Sequence, residues 1–294
     1  MALKTKLTEL LKVDHPIMLA GMGGVSYAEL CAAMCNEGGY GASPESLEES
    51  VDVIIKGGAD SFVAGLGVPM PIMKRLKDAG VKVMVVGGAV KHAIKAEQAG
   101  CDAVILQGGE GGGHTGLVGT MPLVAQAVEA VKIPVIAAGG IYDGRGLAAA
   151  LALGACGVWM GTRFIASDEA HAANMYKQAI IGAGDTDTTR SRCYSGKPMR
   201  CRTNDYINDW ESRPGDIQPF PQQAIHSTRT GVIGGIGGIV DEAKLNPDTS
   251  CFAMGQSAGG VHDVKPVAAI VADIMRDAEA AIDRMAGLKS KAPA

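Results

Sequence analysis

Residues 108–116 read GGEGGGHTG, with six glycines, one acid and one histidine in nine positions. An imidazole titrates near neutral pH, so His114 could exchange a proton with a substrate or hydrogen-bond an oxyanion. Glycine loses the most chain entropy on folding and packs nothing, so the run is not there for stability. It suits a place where backbone must approach something closely. No neighbour in sequence could bury His114 as a core residue, which makes it a candidate functional group.

The other histidines have plainer readings. His15 precedes Pro16 at a strand start and reads as structural. His92 and His171 fall on expected helices as surface or packing residues, and His262, before Asp263, reads as part of a helix cap. His226 lies in a polar segment that could reach a substrate. No metal cluster emerges, because Asp102, Glu110 and Asp143 fall on three different loops. Glu110 is read as orienting its loop or a helix end. Cys31 and Cys35, four apart, read as two small buried residues rather than ligands.

The elements that position these residues repeat as an apolar β-rich run, a glycine-bearing loop and a helix. Strands are expected at 16–19, 40–42, 61–64, 82–86, 103–107, 134–137 and 157–160. Helices are expected from Tyr27 to Glu37, with a Ser26/Glu29 capping box and Gly38-Gly39 at its end. Others run from Ser43-Pro44 to Lys56, 71–78, 90–99, 145–153 and 264–285. Continuous Val/Ile runs alternating with amphipathic helices mean a parallel sheet covered by helices, and so many units point to an α/β (β/α) barrel of the TIM type. Seven strands leave one βα unit short after the second. Four loops following strands are glycine-rich: 20–26, 108–116, 138–144 and 161–162. In a barrel the last two commonly bind phosphate through backbone amides, although Gly139-Gly140 could equally make only a tight turn.

The chain divides into a barrel at 1–182, a polar, aperiodic cap or lid at 183–262, and a closing helix with a frayed tail at 263–294. Its net charge of −4 over 294 residues gives no footprint for nucleic acid. The uncharged stretch from Gly146 to Gly161 is broken by glycines and reads as buried helix and strand, not a membrane span. Seven scattered cysteines and no signal-peptide pattern point to reduced thiols and a cytoplasmic setting.

Four stretches, HPIMLAGMGGVS, QGGEGGGHTG, PVIAAGGIYDGRGLAAALALGACGVWMGTRF and GQSAGGVHDV, together resemble the nitronate monooxygenase family. That family, formerly the 2-nitropropane dioxygenases, also embraces FMN-dependent enoyl-thioester reductases and some quinone reductases. The resemblance implies an FMN-dependent oxidoreductase on a barrel, with His114 as the active-site histidine. It implies that Ala20 and Met22 lie against the isoalloxazine, that Gln107 meets its polar edge and that Gly112 lets backbone approach it. Gly139, Gly140, Gly161 and Thr162 would serve the phosphate, with Trp159 and Met160 just before them. Gln256 and Ser257 would belong to a loop folding over the ring. On this reading the glycines make room for a flat ring, and the imidazole faces substrate beside it. The family's further helix and strand resembling PFGVN, after the second strand, have no counterpart here. The loop after DAVILQ holds no cysteine, which disfavours the purine-nucleotide dehydrogenases that share a GGI loop but need a thiol nucleophile.

The implied activity is oxidation of alkyl nitronates by O₂ to a carbonyl compound and nitrite. The alternatives are an NAD(P)H-dependent enoyl-thioester or quinone reductase, and a non-catalytic flavin carrier. Expected partners are a small-molecule substrate and O₂, with NAD(P)H and a homodimer left open, and with neither nucleic acid nor membrane.

Overall fold

The computed structural model describes residues 3–37, 49–65, 67–236 and 238–288. Six strands make one curled, all-parallel sheet: β1 (Ile17–Leu19), β2 (Ser61–Ala64), β3 (Lys82–Gly87), β4 (Ala103–Gln107), β6 (Val135–Ala138) and β7 (Gly157–Met160). Their spatial order is β1-β7-β6-β4-β3-β2. Between β4 and β6 lies a two-residue strand, β5 (Gly113–His114). Helices α1 (Lys6–Leu11), α2 (Ala28–Asn36), α3 (Glu49–Lys56), α4 (Met70–Asp78), α5 (Val90–Gln98), α6 (Thr120–Ala130) and α7 (Gly144–Ala152) follow the βα alternation. The fold is α/β of the TIM-barrel type. The strand expected at 40–42, the Gly38-Gly39 helix end and the Ser43-Pro44 helix start lie outside the described residues.

Side chains alternate between the two faces of each strand and feed two cores. Met18, Met84, Ile105, Ile136 and Ala138 meet inside the curl, where Leu7 and Leu11 of α1 join them. Ile17, Leu19, Val104, Leu106, Val158 and Met160 face outward into a helix layer built from Leu30, Leu76, Leu123, Leu147 and Ile274. Truncating such a buried leucine to alanine typically costs about 2–5 kcal/mol. Thr5 and Thr8 form a reciprocal capping box that starts α1. Backbones also meet directly: a Cβ on Gly144 would fall 2.1 Å from the carbonyl oxygen of Ile274. That glycine lets α7 lie against the closing helix α12 (Val267–Gly287).

The chain between these parts has its own architecture. It holds α8 (Thr162–Ile165), α9 (Asn174–Ile181), β8 (Thr188–Ser191), β9 (Met199–Arg202), α10 (Asp205–Glu211) and α11 (Gln222–Arg229). Cys193, Tyr194, Met199, Cys201, Ile207, Val232 and Cys251 form a separate buried cluster here. The segment expected to be an aperiodic lid is therefore a packed unit. β5, β9 and β8 make a second, antiparallel sheet, so His114 sits on a strand and not in a free loop.

Two capping expectations are corrected. The N-cap of α2 is Tyr27, without a side-chain bond. The Ser26 hydroxyl instead donates to Ala20 O at 2.8 Å and accepts from Met22 N at 3.0 Å, which shapes the loop after β1. The first turn of α12 is capped by Glu169, whose carboxylate accepts from Val267 N at 3.0 and 3.1 Å. Asp263 pairs instead with Arg163 and Lys265, each at 3.0 Å.

Candidate functional site

A cavity of about 330 Å³ opens where the loops after β1, β4, β6 and β7 converge on the carboxyl ends of the strands. Of the residues expected at a site, Ala20, Met22, Gln107, Gly112, His114, Gly139, Gly140, Trp159, Gly161, Thr162 and Ser257 line it. Met160 and Gln256 do not. Alternation along β7 turns Met160 outward into the helix layer, 1% exposed. The Gln256 side chain is solvent-exposed, and only its backbone joins the site, donating to Glu110 O at 2.9 Å. Tyr176 and Met199 also line the cavity, and no sequence motif marked them.

The walls are tied together by polar bonds that the sequence only partly foretold. Glu110 Oε2 accepts from both the amide and the hydroxyl of Thr120, each at 2.7 Å. It thereby caps α6, the helix-end role expected of it. The same hydroxyl lies 2.9 Å from Gly139 O, bringing the β6 loop into the knot. Thr162 Oγ1 accepts from Gly255 N at 3.0 Å, and Gln107 Nε2 donates to Gly112 O at 2.8 Å. The Trp159 indole donates to Leu19 O at 2.6 Å, which fixes the ring beneath the cavity.

The glycines of 108–116 answer mostly to protein. A Cβ on Gly112 would fall 2.7 Å from the backbone of Met254 and Gly255, and one on Gly108 2.4 Å from Thr120 N. Only at Gly113, with φ +69°, would it meet nothing within 4 Å. Their bareness lets neighbouring loops pack backbone to backbone, and Gly111, Gly112 and Gly113 also line the cavity. Gly139 and Gly140, with φ +96° and +75°, do form the expected tight turn after β6.

His114 borders the cavity from β5. Pairing with β9 sets it opposite Met199, and its Nε2 lies 2.8 Å from Ser195 Oγ. His114 is solvent-exposed as a residue, while its Nε2 is engaged by Ser195. Partial burial and the nearby Lys197 ammonium hold its pKa below the ordinary 6.5, favouring the neutral ring. Arg200 Nε donates to Gly109 O at 2.9 Å and Arg190 to Gly116 O at 3.0 Å, so the second sheet clamps both ends of the glycine run. The alternation Met199-Arg200-Cys201-Arg202 was the available signal for that strand, hidden in a segment read as aperiodic.

A second cavity of about 500 Å³ shares Gln107 and His114 with the first and extends under the loops after β2 and β3. Its lining carries Lys95, Lys197 and His92 and, among the described residues, no carboxylate. His92 Nδ1 accepts from Gly88 N at 3.1 Å. Of the other histidines, His171 packs edge-on against Tyr27 and His226 against Trp210, and neither lines these cavities. Among the described residues, no three His, Cys, Asp or Glu side chains group where they could hold a metal ion.

The sequence profile of the nitronate monooxygenase family matches residues 42–277. The chain belongs to that family. A Rhodococcus jostii relative, named a 5-hydroxy-7a-methyl-1-oxo-octahydro-1H-indene-4-carboxyl-CoA dehydrogenase, is 40% identical over 241 residues, covering 71% of this chain and 68% of its own. The structure of FabK from Thermotoga maritima superposes with a TM-score of 0.87 at 32% identity, over 98% of this chain and 100% of that one. A nitroalkane oxidase from Streptomyces ansochromogenes gives 0.81 at 25%, over 95% and 99%. Membership makes the chain a flavin-dependent oxidoreductase. No described helix is long and apolar enough to cross a membrane.

Proposed function

We propose that the chain is an FMN-dependent enzyme that oxidises alkyl nitronates with O₂ to a carbonyl compound and nitrite. The observation that carries this reading is His114, an imidazole lining a cavity built at the carboxyl ends of barrel strands. Such a base suits removal of the acidic proton beside the nitro group of a neutral nitroalkane, which yields the nitronate that is then oxidised. The residues present fit FMN. Gly139, Gly140, Gly161 and Thr162 would hold its phosphate through backbone amides after β6 and β7. Ala20, Met22 and Trp159 would flank the ring, with Gln107 at its polar edge, Gly112 close by and Ser257 on the covering loop. When bound, FMN supplies the redox chemistry, accepting electrons from the substrate side and passing them to O₂. The protein positions the substrate, keeps the imidazole unprotonated and excludes bulk water with the segment at 183–262.

A second reading, an NAD(P)H-dependent enoyl-thioester or quinone reductase, is favoured by the cavity beyond His114. Its room and its two lysines suit the phosphates of a thioester tail or a pyridine nucleotide. The carboxyl-CoA in the Rhodococcus relative's name agrees with it. The deciding measurement is anaerobic mixing of the purified yellow protein with a nitronate, NADH or NADPH. Bleaching by nitronate, with nitrite released on admitting O₂, supports the first reading. Bleaching by a pyridine nucleotide alone selects the second. A colourless protein that binds no added FMN defeats both.

A further inference from the structure

We propose that Ser195 is a positioning residue for His114, fixing the imidazole in the tautomer whose Nδ1 carries the basic lone pair. The proposal rests on the reading of His114 as the base. Ser195 is 7% exposed, and its Oγ lies 2.8 Å from His114 Nε2. The same oxygen accepts from Lys197 N and can donate to Lys197 O, both at 3.2 Å. A hydroxyl has one proton to give and two acceptor sites. Two arrangements satisfy the distances. If Ser195 donates to Nε2, the imidazole proton moves to Nδ1, and the Lys197 carbonyl loses its hydroxyl partner. If Nε2–H donates to Oγ, the hydroxyl is free to donate to Lys197 O while accepting twice. The second arrangement makes one more hydrogen bond. It leaves Nδ1, which has no protein partner among the described residues, as the nitrogen available to a substrate.

The support for Ser195 is rigid. Ser195 N and Gly196 N both donate to Arg192 O, at 3.2 and 2.7 Å, closing a tight turn. Gly196 has φ +83°, and a Cβ there would fall 2.4 Å from Phe220 N, so the turn admits no other residue without movement. Thr115 N donates to Pro198 O at 3.3 Å and His114 pairs with Met199, which holds the histidine strand against the turn. Two unrelated stretches of chain are thus locked with one hydroxyl against one ring nitrogen.

The test is nitrogen-15 NMR of the flavin-loaded protein with labelled histidine, the His114 signals being assigned by comparison with His114→Gln. The expected result is an Nε2–H tautomer at neutral pH in the wild type and in Ser195→Thr, and a shifted or mixed tautomer in Ser195→Ala. Turnover of Ser195→Ala should fall about 10- to 100-fold in kcat with flavin retained, KM changing less, and Ser195→Thr should recover most of it. A wild-type ring protonated on Nδ1 would overturn the proposal. So would a folded Ser195→Ala protein with unchanged tautomer and kcat. If Ser195→Ala does not fold, Ser195→Thr and Ser195→Cys decide by the same spectrum, the cysteine being expected to lose the wild-type tautomer. The spectrum needs no turnover, so an enzyme inert toward nitronates fails the functional reading without touching this one.

Discussion

The two sides of the curled sheet are built differently. The loops after β4, β6 and β7 are laced to their neighbours, Glu110 to Thr120, Thr120 to Gly139 and Thr162 to Gly255, while Ser26 to Ala20 ties the loop after β1 to itself. At Gly24, Gly112 and Gly139, backbone from another loop occupies the space a Cβ would need. The loop after β2 is looser. Among the described residues, a Cβ on Gly65 or Gly67 would meet nothing within 4 Å, and the lining of the second cavity carries lysines. Preorganised polar walls suit a group held permanently in one pose, because its binding then does not pay again to order the loops. The roomier, cationic side suits a reaction partner that comes and goes. His114 and Gln107 belong to both cavities and mark the border between them.

The largest effect is expected at that border. His114→Ala should lower the rate with a neutral nitroalkane by about 10²–10⁴-fold, the range of a positioned acid–base group, while flavin content stays unchanged. With preformed nitronate no C–H proton need be removed, so the loss should be smaller. Equal losses for both forms would make the ring an anion-binding group instead. The pH profile gives the sign. Desolvation and Lys197 disfavour the imidazolium, so the basic form persists below pH 6.5 and the rate falls only as pH drops through the lowered pKa. Removing the charge in Lys197→Gln should move that acid limb toward higher pH.

A smaller effect, confined to the laced side, is expected from Gly112→Val. The new side chain would press into the backbone of Met254 and Gly255, which cannot swing aside as a flexible side chain could. Overpacking of this kind costs about 1–3 kcal/mol. The expected readout is a flavin that dissociates roughly 10- to 100-fold more readily, measured by fluorescence on dilution, with far-ultraviolet dichroism preserved. Unchanged FMN retention would show that the laced loops are not what holds the cofactor.

The comparison also explains what the sequence could and could not disclose. Parallel strands were legible because Val/Ile runs such as those of β3 and β4 are buried on both faces. Glu110 was legible as a helix-end group because acid and helix start lie close in sequence. The contacts that complete the site are not local. Ser195 reaches His114 across 81 residues, and Gly255 reaches Thr162 across 93, so no spacing rule relates them. Ser26 misled for a related reason: its hydroxyl had two possible uses, and the tight loop after β1 took it in preference to the helix start. Met160 followed from a motif that ignores strand alternation, which sends it to the far face of β7.

The smallest effect tests the open side. Lys95 is solvent-exposed, and a single exposed charge contributes about 0.2–1 kcal/mol. If that cavity takes the phosphates of a thioester or nucleotide, Lys95→Gln should weaken coenzyme A or NADPH binding by roughly 1.5- to 5-fold. The difference should shrink as salt rises, since exposed charges are screened within about 10 Å at 0.1 M. Lys91→Gln is the control: it lies one turn earlier on α5, is also exposed, and does not line the cavity. Titration calorimetry at two ionic strengths separates the two variants. Equal weakening by both would assign the effect to overall charge and not to the cavity. No weakening by either would leave the open side without a role in holding anionic partners, and the laced side would then have to accommodate substrate and cofactor together.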